Sequence, residues 1–265
     1  MGLLCTTSWS PFPPETREVQ FDEKWGFVFQ KQANCGPDAE GKGDNWDHTA
    51  LDAEHRLLLS IIPGKRTSEN CHQVVAEVKK RTGGRTDILL TSDEHALYQP
   101  AIEAAYAVED HQPQQRQRKA SKRAMPKGLC YATVRKTRKH GRVIEIVMTL
   151  VFGTFALLAM LLSRSSVSSS INTAFVERHN GTDRNQNARK ARKTLKFSKD
   201  WDIHNAMTYF VSYSYNFCWP VRTLRVKDDL RKWKPRTPAM SAGLTDHIWS
   251  TKEWVSFPAR PVRST

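Results

Sequence analysis

The chain has 265 residues, of which 39% are hydrophobic, and a formal net charge of +14. This length and hydrophobic content exclude a protein that is disordered over its whole length, because the sequence can bury a core in one large domain or two small ones. The positive charge is concentrated in residues 116–142 and 178–199, which favours a polyanionic partner, either nucleic acid or an acidic membrane surface. The five cysteines are scattered without a C-x-x-C pair, which argues against a zinc ribbon or a disulfide framework and favours a reducing compartment.

The first elements are predicted from alternation and from turn and capping signals. Residues 1–17 contain three prolines and little periodicity, which is typical of a tail. From Val19 onward apolar and polar side chains alternate, so this segment is predicted to be a strand with Asp22 on the face away from the aromatic residues. The segment 47–64 predicts two strands around a turn, and Thr67 is suited to cap a helix that ends at the next pair of glycines.

The next segments predict a strand, a helix and a basic arm. The short apolar run "DILLTSD" predicts a strand buried on both faces, which is typical of parallel pairing. Asp93 stands where this strand ends, and in open α/β sheets ligands gather at the C-terminal ends of strands. The following "PAIEAAYAV" predicts a helix. Residues 109–142 are basic, show no core pattern apart from "LCYATV", and are interpreted as an insertion or connecting arm.

The most apolar segment, residues 146–162, has two interpretations. It is shorter than the roughly 20 residues that usually span a bilayer, although about 17 can suffice. Its first half is rich in β-branched residues and its second half in good helix formers, with Gly153 between them. This change of composition favours a buried strand that leads into a helix over a membrane-spanning helix.

The C-terminal third begins with a basic segment that carries one carboxylate. Residues 175–201 place Glu177 at the head of an otherwise basic stretch. A helix is predicted here, although Gly181 opposes it, because a glycine in a helix interior costs about 1 kcal/mol relative to alanine. Residues 203–211 predict an amphipathic helix. Residues 226–265 are polar, have no clear period and are interpreted as a C-terminal tail.

Three carboxylates stand out by position: Asp22, Asp93 and Glu177. Each has a simpler interpretation, respectively as an edge-strand charge, a helix N-cap and a surface ion-pair partner. Together they suit a pair of divalent cations about 4 Å apart, because Mg²⁺ prefers oxygen ligands and two such ions aid phosphodiester cleavage.

The cations beside Glu177 predict contacts with nucleic acid. They would hold the phosphates on either side of the metal site. The alternative is that they only coat a solvated helix. The residues expected to contact DNA are Arg178, His179, Arg184, Arg189 and Lys190.

Several segments of the sequence resemble one known family. They are "VQFDEKWGFV", "LLTSDEHALY" and "INTAFVERHNGTDRNQNARKARKTLKFSKDW", which is followed by "YNFCWPVRTLR". They closely resemble bacterial insertion-sequence transposases of the insertion-sequence-one type, from about Val19 to Arg225. The resemblance implies an α/β fold with a ribonuclease-H-like mixed sheet flanked by helices. Residues 18–225 would then be one catalytic domain with a basic insertion at 109–142.

The resemblance also implies an activity and its partners. The Asp-Asp-Glu triad of the family matches Asp22, Asp93 and Glu177, which would hold two Mg²⁺ or Mn²⁺ ions. The expected reactions are hydrolysis at the transposon ends and strand transfer into target DNA. The implied state is a homo-oligomer on DNA in the bacterial cytoplasm, with neither a membrane nor a small-molecule substrate.

The sequence departs from the family at its beginning and end. Relatives usually begin with a zinc-binding or helix-turn-helix region that reads the transposon ends, whereas this chain has no cysteine pair before Val19. We therefore expect either the catalytic part of a longer product or a truncated, decayed copy that binds DNA without catalysis. The residues after Arg225 have no counterpart in the resemblance.

Overall fold

The computed structural model describes residues 15–37, 40–109 and 123–257. The strands in these ranges are β1 (Glu18–Val28), β2 (Gly43–Asp52), β3 (Leu57–Gly64), β4 (Leu89–Asp93), β5 (Val108–Glu109), β6 (Arg123–Ala124), β7 (Cys130–Lys139), β8 (Arg142–Phe152), β9 (Val226–Lys227) and β10 (Trp233–Lys234). The α-helices are α1 (Ser68–Arg81), α2 (Tyr98–Tyr106), α3 (Phe155–Arg164), α4 (Ala174–Gln186), α5 (Trp201–Cys218), α6 (Pro238–Ser241) and α7 (Thr251–Ser256). Most of the predicted N-terminal tail lies outside the described residues.

The protein is a mixed α/β structure built on a six-stranded sheet in the order β3-β2-β1-β4-β7-β8. Strand β4 lies parallel to β1 on one side and to β7 on the other, and the remaining neighbours are antiparallel. The sequence prediction that β4 is buried between parallel partners is confirmed. Because β1, β4 and β7 run in the same direction, their C-terminal halves lie on the same side of the sheet, where β4 ends and its two neighbours continue.

Helices α1 and α2 cover one face of this sheet. Thr67 accepts a hydrogen bond from the backbone N of Asn70 and so caps α1, as its sequence predicts. Val74 and Val78 of α1 are fully buried in the cluster that contains Phe21 of β1. Odd-numbered residues at the start of β1 therefore face α1 and α2.

Helices α3, α4 and α5 cover the opposite face. Val176 of α4 and Tyr213 of α5 pack with Leu58 of β3. Leu158 of α3 packs over β4 and β7. Helix α4 continues through Gly181 without a break, as predicted.

The predicted basic arm, residues 109–142, is wrong in its second part. Residues 110–122 lie outside the described residues, but residues 130–139 form β7, which pairs with β4 and β8 inside the sheet. The buried stretch of β7 is short, from Cys130 to Val134, and the rest of the strand extends toward solvent. The sequence therefore shows only a brief apolar run within a basic segment.

The apolar segment 146–162 contains a strand and a helix, β8 and α3, as predicted. The prediction that this strand is buried is wrong, because β8 is the edge strand of the sheet and Ile144, Ile146 and Met148 are exposed. None of the helices in the described parts of the chain has both the length and the apolar character needed to cross a bilayer.

Part of the predicted C-terminal tail belongs to the folded structure. Trp249 and Trp254 pack on Phe217 of α5, with ring centroids 4.7 and 5.8 Å from that of Phe217. Ala239 of α6 is fully buried in the same cluster. The prediction of a tail over 226–265 is thus corrected, since irregularly spaced aromatic residues fill a core without producing a sequence period.

Candidate active site

Asp22 and Asp93 lie side by side on neighbouring parallel strands, with Asp93 at the end of β4 and Asp22 inside β1, just beyond the paired register of the two strands. The paired register of β1 and β4 runs through Gln20 and Thr91, and each aspartate follows two residues later on its strand. Since side chains alternate along a strand, Asp22 projects from the same face as Gln20, and Asp93 from the same face as Thr91. The sheet thus brings together two predicted site residues that are 71 positions apart in the printed sequence.

Gln20 places the helix that carries the third carboxylate over this face. Its side chain is fully buried, and its Oε1 accepts hydrogen bonds of 2.9 and 3.1 Å from the backbone N atoms of Phe175 and Val176. These are N–H groups of the first turn of α4, which have no partner within the helix. Gln20 therefore fixes the start of α4 against β1, and Glu177 lies in the same first turn.

Asp22 is a crowded carboxyl group with a raised pKa. Its Oδ2 accepts a hydrogen bond of 2.8 Å from the side chain of Asn180 on α4. Burial and then the negative charge of Asp93 raise the pKa of Asp22 to about 7, with smaller contributions from Glu23 and Glu177. A carboxyl group in such surroundings favours a bound cation, because a cation relieves the repulsion between the negative charges.

Asp93 experiences a similar environment. Burial and then the charge of Glu23 raise its pKa above the ordinary value. Its Oδ1 accepts a hydrogen bond of 3.2 Å from the backbone N of His95 in the turn after β4. The simpler interpretation of Asp93 as the N-cap of the following helix is wrong, because the N-cap position of α2 is Leu97. The two aspartates are both crowded by negative charge at one edge of the sheet.

Glu177 is paired with a lysine from β7. Lys136 donates a hydrogen bond of 2.5 Å to Oε1 of Glu177, and Thr173 donates one of 2.6 Å to the same oxygen. Burial raises the pKa of Glu177, but these two hydrogen bonds outweigh burial and leave the pKa below its ordinary value. Glu177 is thus ionised and held by an ammonium group on the side of the sheet where the aspartates lie.

The three carboxylates do not form a closed set of metal ligands in this arrangement. Among the described residues, one group of three ligand-type side chains has its ligand atoms within 4.8 Å of one another, and it is Glu23, Cys71 and His95. Glu177 instead contacts Lys136. The donor chemistry suits Mg²⁺ or Mn²⁺, which take carboxylate oxygens, but joint coordination requires Glu177 to exchange the ammonium group for a metal ion.

Three of the cations predicted to contact DNA remain at least partly exposed. Arg178 is exposed on α4. Arg184 is half-buried and donates hydrogen bonds to the backbone carbonyls of Trp25 and Lys190. Its guanidinium group therefore joins α4 to β1 and to the segment after α4. Arg189 lines an open groove of about 470 Å³ that also contains Lys196.

His179 and Lys190, which were also predicted to contact DNA, are buried. The ring of His179 packs edge-on against Tyr215, with centroids 4.7 Å apart, and burial lowers its pKa to about 4. Lys190 is 5% exposed and donates a hydrogen bond of 2.5 Å to Asp47. Both predictions are therefore wrong for this conformation, since neither side chain can reach a phosphate.

Lys190 belongs to a buried cluster of two lysines and two aspartates. Lys24 pairs with Asp47 at 3.2 Å and with Asp183 of α4 at closer range, and Lys190 pairs with both aspartates. Burial opposes ionisation of Asp47 and Asp183, but the lysines outweigh it and hold both pKa values below the ordinary range. The cluster joins β1, β2, α4 and the segment after α4, and it fixes the end of α4 remote from Glu177.

The residues that position the carboxylates were not predicted from the sequence. Gln20, Asn180 and Lys136 act across chain separations of up to 158 residues, which no local pattern reports. The end of the β7–β8 hairpin was missed as well, and it carries Arg138, whose charge acts on Glu177. The one available signal was the apolar "LCYATV", which predicts that a strand precedes this arginine.

Comparisons with known proteins give no assignment for this site. No family model matches the chain, and no curated protein matches its sequence.

Proposed function

We propose that the protein is a DNA transposase with a ribonuclease-H-like catalytic domain. Its reaction would be metal-dependent hydrolysis of a phosphodiester at the transposon ends, followed by strand transfer into target DNA. The observation that carries the proposal is the proximity of Asp22, inside β1, to Asp93, at the end of the adjacent parallel strand β4, beneath the helix that bears Glu177. The sequence resemblance to insertion-sequence transposases names the same three residues.

The environment of these acids supports a metal site more than proton transfer. The pKa of Asp22 is raised chiefly by burial and by Asp93, as expected for acids that crowd without a counter-ion. Asp22, Asp93 and Glu177 would hold two Mg²⁺ or Mn²⁺ ions. Such ions supply activation of the attacking hydroxyl group and stabilisation of the leaving oxygen. The chain's own contribution is to hold the carboxylates, through Gln20 and Asn180, at one edge of the sheet.

Cations lie where the DNA backbone would pass. Arg138 and Lys139 are exposed at the end of the β7–β8 hairpin, and Arg178 follows Glu177 on α4. The groove lined by Arg189 and Lys196 offers a second basic surface. Phosphate contacts from such side chains give affinity that falls steeply with salt and does not depend on sequence. In this proposal the active form is a homo-oligomer on DNA in the bacterial cytoplasm.

A nicking assay on supercoiled plasmid DNA with Mn²⁺ tests the proposal, since it requires no knowledge of the transposon ends. We expect the full chain to convert the plasmid to nicked and linear forms, and chelation to abolish the conversion. Asp93→Asn should lose this activity but keep salt-dependent DNA binding, whereas Asp229→Asn, at an exposed aspartate in the C-terminal region, should retain both.

Two other outcomes of this assay would contradict a catalytic site at Asp93. Salt-dependent DNA binding by the unmutated chain without any nicking favours the decayed, non-catalytic transposase. Equal nicking by the unmutated chain and by Asp93→Asn contradicts the proposed site and points to a contaminating nuclease. Circular dichroism of each variant shows whether it is folded.

A further inference from the structure

On the opposite face of the sheet, a second cluster of ligand-type side chains lies behind the carboxylates. Asp22 and Glu23 are neighbours on β1, so their side chains point to opposite faces. Glu23 faces α1, where Cys71 is fully buried, and His95 follows β4 on the same side. The carboxylate of Glu23, the thiol of Cys71 and the ring of His95 offer ligand atoms within 4.8 Å of one another.

A fourth side chain, His48, lies on the same face of the sheet, although its ligand atom is not within 4.8 Å of all three of the others. His48 is the direct cross-strand partner of Glu23 in the antiparallel pair of β1 and β2, and directly opposed side chains share a face. His48 is fully buried, and its Nδ1 lies 3.2 Å from the carbonyl oxygen of Ile62. Because a carbonyl oxygen can only accept, Nδ1 carries the proton and Nε2 presents its lone pair.

Two buried histidine nitrogens in this cluster have no hydrogen-bond partner among the described residues. They are Nδ1 of His95 and Nε2 of His48. Oε2 of Glu23 is satisfied, since it accepts a hydrogen bond of 2.8 Å from Arg66. The hydroxyl of Tyr98 interacts with the carboxylate of Glu23, but the two histidine nitrogens are without a partner, and buried polar atoms are nearly always satisfied in native proteins. These two nitrogens therefore indicate a missing partner.

The distances and ligand types fit a small tetrahedral cation. Oε1 of Glu23 and Nδ1 of His95 are 3.8 Å apart, which is too long for a hydrogen bond. Two ligands about 2.0 to 2.1 Å from a tetrahedral ion lie about 3.4 Å apart, so a small shift brings both into coordination. A thiolate together with imidazole and carboxylate is a donor set typical of Zn²⁺ and unlike that preferred by Mg²⁺.

We propose that Glu23, Cys71 and His95 hold a structural zinc ion, and that His48, on the same face of the sheet, completes the site after a shift of its side chain. The bond from His48 to the Ile62 carbonyl is the orienting contact that zinc-bound histidines usually make through their second ring nitrogen. The ion would join β1, β2, α1 and the loop that follows Asp93. This inference does not rest on the proposed transposase activity. Burial raises the pKa of the Cys71 thiol to about 12, so metal binding would release its proton.

Cobalt substitution of the full chain tests the site, because Co²⁺ occupies zinc sites and its thiolate bond gives a charge-transfer absorption. After removal of bound metal, we expect one equivalent of Co²⁺ to produce this band, and one equivalent of Zn²⁺ to abolish it. Cys71→Ser should lose the band. Cys130→Ser, at an equally buried cysteine on the opposite face of the sheet, should keep it.

A second variant keeps the test decisive if Cys71→Ser fails to fold. His95→Gln, at a side chain that is 13% exposed, should weaken Zn²⁺ binding by more than the roughly 10- to 100-fold expected for loss of an outer contact. It should also lose the rise in melting temperature that Zn²⁺ gives the unmutated chain. Absence of a thiolate band in the unmutated chain, or an equal band in folded Cys71→Ser, overturns the proposal. Water molecules, and not a metal ion, would then satisfy the polar atoms of the cluster.

Discussion

Asn180 of α4 donates a hydrogen bond of 2.8 Å to Asp22 of β1, and this bond joins the helix that carries Glu177 to the strand that carries the first aspartate. Asn180 is 6% exposed and lies three residues after Glu177, so both side chains project from the same side of α4. The bond lowers the pKa of Asp22 but does not cancel the increase caused by burial and Asp93. Asp22 is therefore a group whose ionisation opposes folding when no cation is present.

Asp22→Asn should stabilise the metal-free protein at neutral and alkaline pH. Burial and Asp93 raise the pKa of Asp22 from 3.8 to about 7, so between these values the folded state binds more protons than the unfolded state. The contribution of Asp22 to the free energy of unfolding of the unmutated chain therefore falls as the pH rises through that interval. The gain in the variant should be absent below about pH 4 and at most about 4 kcal/mol above pH 7.

Urea unfolding at pH 3.5, 5.5 and 8 measures this gain, with Asp229→Asn as the exposed control. A difference between Asp22→Asn and the unmutated chain that does not vary with pH would show that Asp22 is not buried among charges. Addition of Mn²⁺ at pH 8 should stabilise the unmutated chain and leave Asp22→Asn unchanged.

Lys136→Met should increase the affinity for Mn²⁺. The ammonium group of Lys136 contacts Glu177 at 2.5 Å and competes with a metal ion for the same oxygen. The pair is partly exposed, so its loss should change the free energy of unfolding by no more than about 1 kcal/mol. Titration followed by the electron paramagnetic resonance signal of free Mn²⁺ gives the affinity.

Lys139→Met is the matched control, because Lys139 is exposed on the same strand. Both variants remove one positive charge, so any long-range effect on Mn²⁺ binding is common to them. A weaker affinity in Lys136→Met than in Lys139→Met would mean that the lysine holds Glu177 in its metal-binding position.

Lys190→Met should destabilise the protein without an effect on DNA contacts. Lys190 and Lys24 neutralise Asp47 and Asp183, and removal of one partner from a buried charge cluster costs about 3 to 5 kcal/mol. Lys199→Met, at an exposed lysine, should change stability by less than about 0.5 kcal/mol. Denaturant unfolding gives the free energy of unfolding of both variants. An equally small decrease in Lys190→Met and in Lys199→Met would contradict a role of the buried cluster in stability.

The same cluster predicts instability in acid. The lysines hold the pKa values of Asp47 and Asp183 below the ordinary range, so their stabilising contribution is fully present above about pH 4. It is lost as the pH falls through the lowered values, because the aspartates must then accept protons.

Gly181→Ala should stabilise the protein by about 1 kcal/mol, because Gly181 lies inside α4 and alanine is the better helix former. A Cβ atom at this position meets no heavy atom within 4 Å. Gly84→Ala is the matched control, since its added Cβ also has open space but its φ is +74°. That substitution should destabilise, because alanine is strained at positive φ. Thermal unfolding should show a higher melting temperature for Gly181→Ala and a lower one for Gly84→Ala than for the unmutated chain.

Much of the order of strands and helices could be predicted from local patterns. β1 alternates, α1 has an N-cap and apolar residues at helical spacing, and β4 is a short apolar run, and each of these signals lies within its own segment. The position of β7 could not be predicted, because only its first residues are buried and its basic end projects from the sheet. Asp93 could be proposed as a site residue from its position at the end of a strand once parallel pairing was expected, whereas Asp22 was singled out by its face on β1 and by the family resemblance.

The exposed face of α4 could not be inferred from its charge. Its buried positions Val176, His179, Asn180 and Asp183 have helical spacing, but three of them are polar and form no hydrophobic stripe. The basic composition of the segment therefore predicted that His179 faces DNA, whereas the buried charge cluster and Tyr215 fix the opposite orientation. Partners that satisfy buried polar groups come from β1, β2 and α5, which sequence periodicity does not connect.

A crystal structure of the full chain soaked with Mn²⁺ tests the central claim most directly. We predict anomalous density bound by Asp22 and Asp93, with Glu177 released from Lys136 to coordinate the same ions. Absence of density between these carboxylates at saturating Mn²⁺, with Glu177 still paired to Lys136, would contradict it.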